Sequence, residues 1–410
     1  MKKQHFLLCF LTLCCLTASI SAGAQINING RVKTDDTNEY LEFVSVVVKG
    51  TTKGTVTNME GAYSIGNLQP RDTIQFVYMG YKTVQVAVSD LVKSPDVVMP
   101  TLATNLQEIV VKALQEEDIL KSAIQKLKYF YPSEPVICKS QIKDVTIENK
   151  KIASYYDFAA DLWVYSFLRE EEERNPTMMR IRKVDANIDR YTDSIPVRPY
   201  VMYDKTIRTI IPENYALHSI MSMIETDELK FKISKDSLGL EEIYRMTFES
   251  KGTQNDINTS ATIERVSGYV IVTVADSSIL KIQMEEEFNN YTTISHFYKG
   301  AQRVQCTATF EKQVHSNSFR RVGNRMYPEY AKTEVFSNVK YNNQTLERRQ
   351  MSLILINDII TKDVKRFSKK ESYDKSQPLY RQISAENDSW RTINSLPLTQ
   401  EEKDFIDANR

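Results

Sequence analysis

The sequence has little of what metal chemistry needs. Its 410 residues include 4 histidines, 5 cysteines and 2 tryptophans. Apart from His5 the histidines are His218, His296 and His315, and none of these three begins an HxxE or HExxH motif. A catalytic zinc requires three protein ligands and an open position. We therefore expect neither a zinc peptidase nor a bound metal.

Motifs of other enzyme classes are also missing. The chain contains no G-x-S-x-G elbow, no Walker loop and no G-x-G-x-x-G fingerprint. A Cys306–His296 dyad would need an exposed, electropositive thiol, whereas Cys306 lies on the apolar side of an alternating segment from Val304 to Phe310. The sequence predicts a non-catalytic protein without a cofactor. An enzyme of unrecognised type remains an alternative.

An excess of one charge is absent as well. The 53 Lys and Arg balance 53 Asp and Glu, and removal of Lys2 and Lys3 with a leader would leave 51 against 53, a net charge of −2. This balance gives no electrostatic reason to expect a nucleic-acid partner. The glutamates of Glu170–Glu173 and Glu285–Glu287 are adjacent in sequence. Adjacent strand residues point to opposite faces, so we expect these clusters to be solvated.

Long apolar runs are confined to the N-terminus. There the chain has Lys2 and Lys3, an apolar stretch from Phe6 to Ile20, and Ala22-Gly23-Ala24. This order predicts a signal peptide over residues 1–24, cleaved between Ala24 and Gln25. Later segments fall short of the roughly 20 apolar residues of a transmembrane helix. The mature chain is therefore expected to be exported and to have no transmembrane span.

The cysteines leave two questions open. Cys14 and Cys15 make lipidation an alternative to simple cleavage, although Leu13 stands where a small residue is expected. Cys138 and Cys306 would remain in an oxidising compartment, where one disulfide is conceivable. Because Cys306 alternates with polar neighbours, two buried free thiols are the preferred interpretation.

Turn chemistry is concentrated between Gly50 and Ile65. Thr57 leads into Asn58-Met59-Glu60-Gly61, where Asn can bond its own backbone and Gly can adopt a positive φ. Tyr63 then begins an alternating strand. The other turn and strand markers of this segment are Gly30, Gly50, Gly54, Gly80 and Tyr81. The pattern predicts a module of short strands over residues 26–100.

With Gly30-Arg31-Val32 at its start, this module resembles the carboxypeptidase-regulatory-like (prealbumin-like) β-sandwich of exported Bacteroidota proteins. Leu106-Gln107-Glu108-Ile109-Val110-Val111, in a linker over residues 101–115, resembles the strand that follows the same module in TonB-dependent receptors. No plug signature follows, and about 300 residues are too few for a barrel of roughly 22 strands. The resemblance implies that the protein is located in the periplasm or at the outer-membrane periphery. It also implies an interaction or structural role with an envelope protein partner.

The rest of the chain is predicted to be an α+β domain. Residues 116–131 have helical periodicity and are followed by Pro132. Apolar and polar residues alternate with period two over residues 132–361. This pattern predicts a large curved antiparallel sheet with one face exposed to solvent. This region is similar to the C-terminal part of other Bacteroidota proteins with the same module. That similarity implies that the sheet forms a half-barrel. As an alternative function, the protein would then carry an apolar or lipidic ligand.

The last segment, residues 362–410, is predicted to be a polar tail. Thr399-Gln400-Glu401-Glu402 has the form of a capping box that opens a short final helix, and Trp390 is expected to anchor the tail to the sheet. The chain also has 22 tyrosines. Aromatic rows could stack on sugars or line a lipid cavity, so a carbohydrate or a lipid ligand remains open.

Overall fold

The computed structural model describes residues 25–102, 114–168, 174, 176–189, 215–238, 241–255, 261–299, 302–341, 344–374 and 395–409. Four of the sequence predictions lie outside the described residues: the signal peptide, Leu106–Val111, Glu170–Glu173 and Trp390. The described chain is mainly β. It consists of an N-terminal sandwich followed by one large antiparallel sheet.

The sandwich is built from seven short strands and a single helical turn. They are β1 Ile26–Thr34, β2 Ser45–Val48, β3 Gly54–Val56, β4 Ala62–Leu68, β5 Thr73–Val77, β6 Val84–Ala87, α1 Val88–Leu91 and β7 Val97–Met99. One sheet has the order β4-β1-β7 and the other the order β3-β2-β5-β6. Val32, Val46, Tyr63, Ile65 and Phe76 form its buried centre, because alternate residues of each strand face inward.

The second domain begins with α2, Leu114–Phe130. Its strands are β8 Val136–Glu148, β9 Lys151–Val164, β10 Met178–Asp189, β11 Leu229–Leu238, β12 Glu241–Ser250, β13 Gln254–Asn255, β14 Thr262–Thr273, β15 Ile279–Lys299, β16 Gln302–Val322, β17 Arg325–Tyr341 and β18 Gln344–Ile360. Two more helices are α3 Tyr215–Glu225 and α4 Gln400–Asp407. The strands pair antiparallel in the order β10-β9-β8-β18-β17-β16-β15-β14-β12-β11, and β13 pairs with β14.

The two helices α2 and α3 cover one face of this sheet. Leu120 and Leu127 of α2 and Leu217 and Ile220 of α3 share one apolar core with inward-facing strand residues such as Ile282. α2 therefore lies against the sheet, as its periodicity indicates. It begins at Leu114 rather than at residue 116, and it ends at Phe130, shortly before Pro132.

The opposite face of the central strands is covered too, so the expectation of a sheet wet on one side is wrong there. Leu353 and Leu355 of β18 pack with Val56 of the sandwich and Leu396 of the C-terminal segment. Ile354, on the other side of β18, belongs to the core under the helices. A continuous apolar run from Leu353 to Ile356 is typical of a strand buried on both faces, and this run is the sequence signal for the second layer.

Two further differences concern local structure. α3 interrupts a region in which the sequence predicts only strands, because its apolar residues recur with helical rather than period-two spacing. Glu286 is fully buried on β15, so the expected solvation of Glu285–Glu287 is wrong for its central residue. The three glutamates do point to alternate faces, and the face of Glu286 is the covered one.

Candidate functional site

The sandwich is joined to the sheet by an apolar contact around Tyr330. The rings of Phe43 in the sandwich and Tyr330 on β17 have centroids 5.2 Å apart. Val56 on β3 packs in the same cluster. The Lys332 ammonium lies 4.9 Å from the centre of the Phe43 ring, as a cation–π pair. This contact buries one edge of the sandwich against the middle of the sheet.

A buried charged group lies beside that contact. Arg320 on β16 donates a hydrogen bond to the Thr52 carbonyl oxygen, and its Nη1 is 3.8 Å from Oε1 of Glu329. Ser45 donates to the same Glu329 carboxylate, while Thr52 Oγ1 donates to Asp358 Oδ1 at 2.7 Å. Burial lowers the pKa of Arg320, and the charges of Glu329 and Asp358 oppose that shift. The guanidinium and two carboxylates therefore form a polar network across the junction of the two domains.

Gly54 is part of the same junction. A Cβ at this position would come within 2.5 Å of Arg320 Nη1 and 2.8 Å of Val47 Cγ1. Only glycine leaves room for the guanidinium to reach the sandwich backbone. The close approach of Arg320, rather than an unusual φ, explains this glycine.

Asn58 links the sandwich to the C-terminal segment. Its Oδ1 accepts hydrogen bonds from the backbone N–H groups of Glu60 and Ala62, both at 2.9 Å. Its Nδ2 donates to the Pro397 carbonyl oxygen at 3.0 Å. The Gln400 N–H, at the start of α4, donates to Glu60 Oε1 at 2.8 Å. One side chain thus closes its own turn and fixes a segment distant in sequence.

The remaining signature residues lie inside the sandwich and hold its turns. Gly50, Gly61 and Gly80 have φ values of 76°, 68° and 83°, in the region that favours glycine. Thr57 Oγ1 accepts from the Val44 N–H at 2.9 Å and donates to the Leu41 carbonyl oxygen. The hydroxyl of Tyr63 donates to the Pro95 carbonyl oxygen at 2.6 Å, Gly30 packs against Pro95, and Tyr81 contacts the ring of Tyr78.

A second feature is an open groove at the far part of β15 and β16, which we call the aromatic groove. It has a volume of about 420 Å³ and is lined by Glu264, Glu287, Phe288, Asn290, Thr309, Phe310, Glu311, Lys312 and Asn338. The strand register explains its position. Glu287 pairs with Lys312 and Tyr291 with Phe310, so residues 288–290 face Glu311 alone.

Glu311 has no pairing partner on β17, the neighbour of β16 on its other side, so it is an extra residue in that ladder as well. Phe310 and Lys312 pair with the consecutive residues Ser337 and Phe336 of β17. Both ladders therefore have a bulge at the same place, and Asn290 adopts a positive φ of 54° there. Bulges bend strands and redirect side chains. The paired bulges open the surface of the sheet and turn Glu311 and Asn290 toward the groove.

Three aromatic rings form a row along this opening. The ring centroids of Phe288 and Tyr291 are 5.9 Å apart, and those of Tyr291 and Phe310 are 5.4 Å apart with an interplanar angle of 29°. All three side chains are half-buried. Tyr291 contacts both groove-lining rings and holds them in place. The rings of Phe288 and Phe310 that line the groove are therefore partly accessible to solvent.

Polar groups surround these rings. Asn338 Nδ2 donates to the Glu311 carboxylate. Glu287 is paired with Arg265 at 3.3 Å, and Lys312 with Glu285 at 3.3 Å. Bonds to Glu249 and Glu287 raise the pKa of Arg265. Hydrogen-bond donors and acceptors therefore alternate around the aromatic faces.

Residues 28–111 match a protein-family model described as the CarboxypepD_reg-like domain. The N-terminal part of this chain is a CarboxypepD_reg-like domain. The chain is also similar to TonB-dependent receptor P3 of Formosa agariphila, with 30% identity over 110 residues. That match covers 27% of this chain and 11% of the receptor, so the chain spans only about a tenth of its curated relative.

The candidate metal ligands in the described part of the large-sheet domain do not gather into one group. Among the described residues no three His, Cys, Asp or Glu side chains form a group that could hold a metal ion. His218 lies on α3, whereas His315 lies on β16, where its ring is hydrogen-bonded to Gln313. The part of the chain that the structure describes has no helix long and apolar enough to cross a membrane.

The two cysteines of the described chain are buried and free. Burial raises the pKa of Cys138 to about 12 and raises that of Cys306 as well. The register places Ser295 opposite Cys306, with His296 one residue further along β15. A buried thiol with a raised pKa is a poor nucleophile, which argues against the Cys306–His296 dyad.

Proposed function

We propose that this chain is a non-catalytic, exported envelope protein that uses its CarboxypepD_reg-like domain and its sheet as one rigid docking unit. The observation that carries the proposal is the polar network between the two domains, in which the buried Arg320 and Glu329 form an ion pair and Thr52 of the sandwich donates to the half-buried Asp358. Removing one partner from such a network leaves an uncompensated charge, at a cost of about 3–5 kcal/mol. Together with the Phe43–Tyr330 ring contact and the hydrogen bond from Asn58 to Pro397, this network supports a fixed orientation of the domain on the sheet.

The surface that this unit offers to a partner lies on the sandwich. Tyr40, Val92 and Val98 are large apolar side chains that remain exposed there. Lys33 pairs with both Tyr40 and Val98, so these two apolar side chains lie on one face of the sandwich, as a protein contact surface requires. The similarity to part of a TonB-dependent receptor supports an envelope partner, and this partner is a protein rather than a nucleic acid.

The alternative role of a lipid carrier has less support. A carrier of an apolar ligand needs an enclosed apolar cavity. The aromatic groove is open and is lined by the carboxylates of Glu264, Glu287 and Glu311. Under the helices, the corresponding face of the sheet is filled by side chains of α2 and α3. Neither of these two surfaces offers the enclosed apolar space that a carrier needs.

Site-specific photo-cross-linking in the producing organism tests the docking proposal. A photoreactive amino acid at Val98, which is 44% exposed, or at Val92 should give one discrete adduct with an envelope protein. The same amino acid at Tyr129, which is 64% exposed on α2, is the matched control and should give none. Equal adducts from all three positions, or none from Val92 and Val98, would contradict the proposal.

The non-catalytic part of the proposal is tested on the purified chain. We expect no turnover of a peptide library and no stoichiometric zinc by elemental analysis, since a catalytic zinc needs three protein ligands. Peptide turnover together with one zinc per chain would refute it if both were lost when His218, His296 and His315 were replaced by alanine.

A further inference from the structure

We propose that the aromatic groove binds a neutral oligosaccharide through the half-buried rings of Phe288 and Phe310. This inference is independent of the docking role of the sandwich, because the groove is formed only by β14 to β17. It rests on three observations: a row of accessible rings, a mixed set of donors and acceptors beside them, and a shape that is open at the surface.

The rings provide the apolar half of the site. Phe288 and Phe310 line the groove, and Tyr291 packs between them with centroid distances of 5.9 and 5.4 Å. A pyranose ring has an apolar face of C–H groups with hydroxyls at its edge, so it can lie flat on an aromatic face while its polar edge stays wet. Tyr291 acts here as a positioning residue, since it does not line the groove itself.

The polar half of the site matches hydroxyl groups better than it matches a cation. Carboxylates of Glu264, Glu287 and Glu311 only accept hydrogen bonds, whereas Lys312 only donates them, and the amides of Asn290 and Asn338 do both. A hydroxyl also donates and accepts, so neighbouring hydroxyls of one sugar can use both kinds of group. An ammonium or guanidinium has no acceptor and would use only the acceptors of the groove, such as its carboxylates.

The charges of the groove favour a neutral glycan over an acidic one. Arg265 offsets Glu287 and Lys312 is offset by Glu285, each at 3.3 Å. The Glu311 carboxylate is already hydrogen-bonded by Asn338, which fixes the two planar groups side by side. With three carboxylates and one cation in its lining, the groove would repel an acidic glycan, whereas a neutral one can use the same carboxylates as hydrogen-bond acceptors.

The paired bulges account for the openness of the groove. Its volume of about 420 Å³ lies within the roughly 300–1,000 Å³ of small-molecule sites, but its opening follows the surface of the strands. A surface groove accepts units within a chain, whereas a closed pocket selects an end. We therefore expect an oligosaccharide of several units to bind better than a monosaccharide.

The test uses the purified mature chain on an array of neutral glucan, mannan and xylan oligosaccharides, followed by titration calorimetry with any glycan retained. Phe310→Ala should weaken binding by about tenfold, because it removes one stacking face. Asn338→Ala should also weaken it, since it frees the Glu311 carboxylate. Tyr129→Ala, an exposed aromatic residue on α2, is the matched control and should bind as the wild type does.

Thermal melts of each variant separate a loss of binding from a loss of folding. Retention of a neutral glycan that is lost in the folded Phe310→Ala protein supports the inference. Three results would overturn it: no retention of any neutral glycan, glycan binding unchanged in Phe310→Ala, or binding of a lysine-rich peptide that depends on Phe310 in place of glycan binding. If no glycan binds but the photoreactive residue at Val98 gives a discrete adduct, the inference is wrong and the docking role still holds.

Discussion

Asn58 and Pro397 are 339 residues apart in sequence, and a hydrogen bond of 3.0 Å joins the Asn58 amide to the Pro397 carbonyl oxygen. The same Asn58 side chain closes the turn that the sequence predicts at residues 58–61. Its carbonyl oxygen serves the turn and its amide nitrogen serves the C-terminal segment. A substitution can therefore remove the hydrogen bond made by the amide nitrogen and keep those accepted by the oxygen.

Asn58→Asp should release the C-terminal segment and leave the turn in place. The carboxylate still accepts from Glu60 and Ala62, but it faces the Pro397 carbonyl oxygen without a donor. We expect a loss of about 1–2 kcal/mol in the free energy of unfolding, and faster hydrogen exchange in residues 395–409. Asn67→Asp makes the same chemical change elsewhere in the sandwich and should leave that exchange unchanged. Equal protection of residues 395–409 in both variants would contradict the contact.

Gly61→Ala should destabilise the protein more than Gly80→Ala. Both glycines have a positive φ, so either substitution strains the backbone by about 1 kcal/mol. A Cβ at Gly61 would also meet the Val32 carbonyl oxygen at 2.7 Å, while a Cβ at Gly80 meets nothing within 4 Å. We expect roughly 1–3 kcal/mol for Gly61→Ala, measured by denaturant unfolding. Similar losses in the free energy of unfolding for the two variants would show that the contact between the new Cβ and the Val32 carbonyl oxygen is relieved at no cost in stability.

Cys138 and Cys306 should resist thiol reagents in the native protein. Both are buried and free, so Ellman's reagent should react only after denaturation, and the intact mass should show no disulfide. Rapid reaction of the native protein would contradict their burial. A disulfide in the isolated protein would contradict the free thiols.

The raised pKa of Cys138 also predicts a pH dependence. The unfolded thiol ionises near its ordinary value of 9, whereas the folded thiol does so only near a pKa of about 12. The unfolded state therefore loses its proton first, and stability present below pH 9 is lost as the pH rises toward 12. Cys138→Ala should flatten this part of the stability profile, and an unchanged slope would argue that the thiol does not contribute.

Cleavage of the leader should occur after Ala24. Mass spectrometry of the protein purified from its own host should find Gln25, free or cyclised, at the N-terminus. Ala24→Arg should block processing because the small-x-small pattern is lost, while Gln25→Asn, outside that pattern, should not. A full-length chain or an acylated cysteine at the N-terminus would exclude this route.

The features that follow from the sequence are local ones. The turn at Asn58-Met59-Glu60-Gly61 is readable because side-chain bonding and positive φ act within four residues. The capping box is another example, since Thr399 Oγ1 accepts from the Glu402 N–H at 3.3 Å and the Thr399 N–H donates back to Glu402 at 2.8 Å. Strand periodicity likewise identified the mainly β fold and the apolar side of most strands.

The features that only the tertiary structure determines depend on how strands distant in sequence are aligned. Arg320 meets Gly54 because β3 packs on β18 across the domain junction and the Arg320 side chain reaches there from β16, and no local pattern predicts that contact. The aromatic groove exists because bulges in two ladders coincide at Glu311. Without these bulges the adjacent residues Phe310 and Glu311 would point to opposite faces of the sheet. Local preferences thus fix the elements, whereas register and packing fix which side chains share a surface.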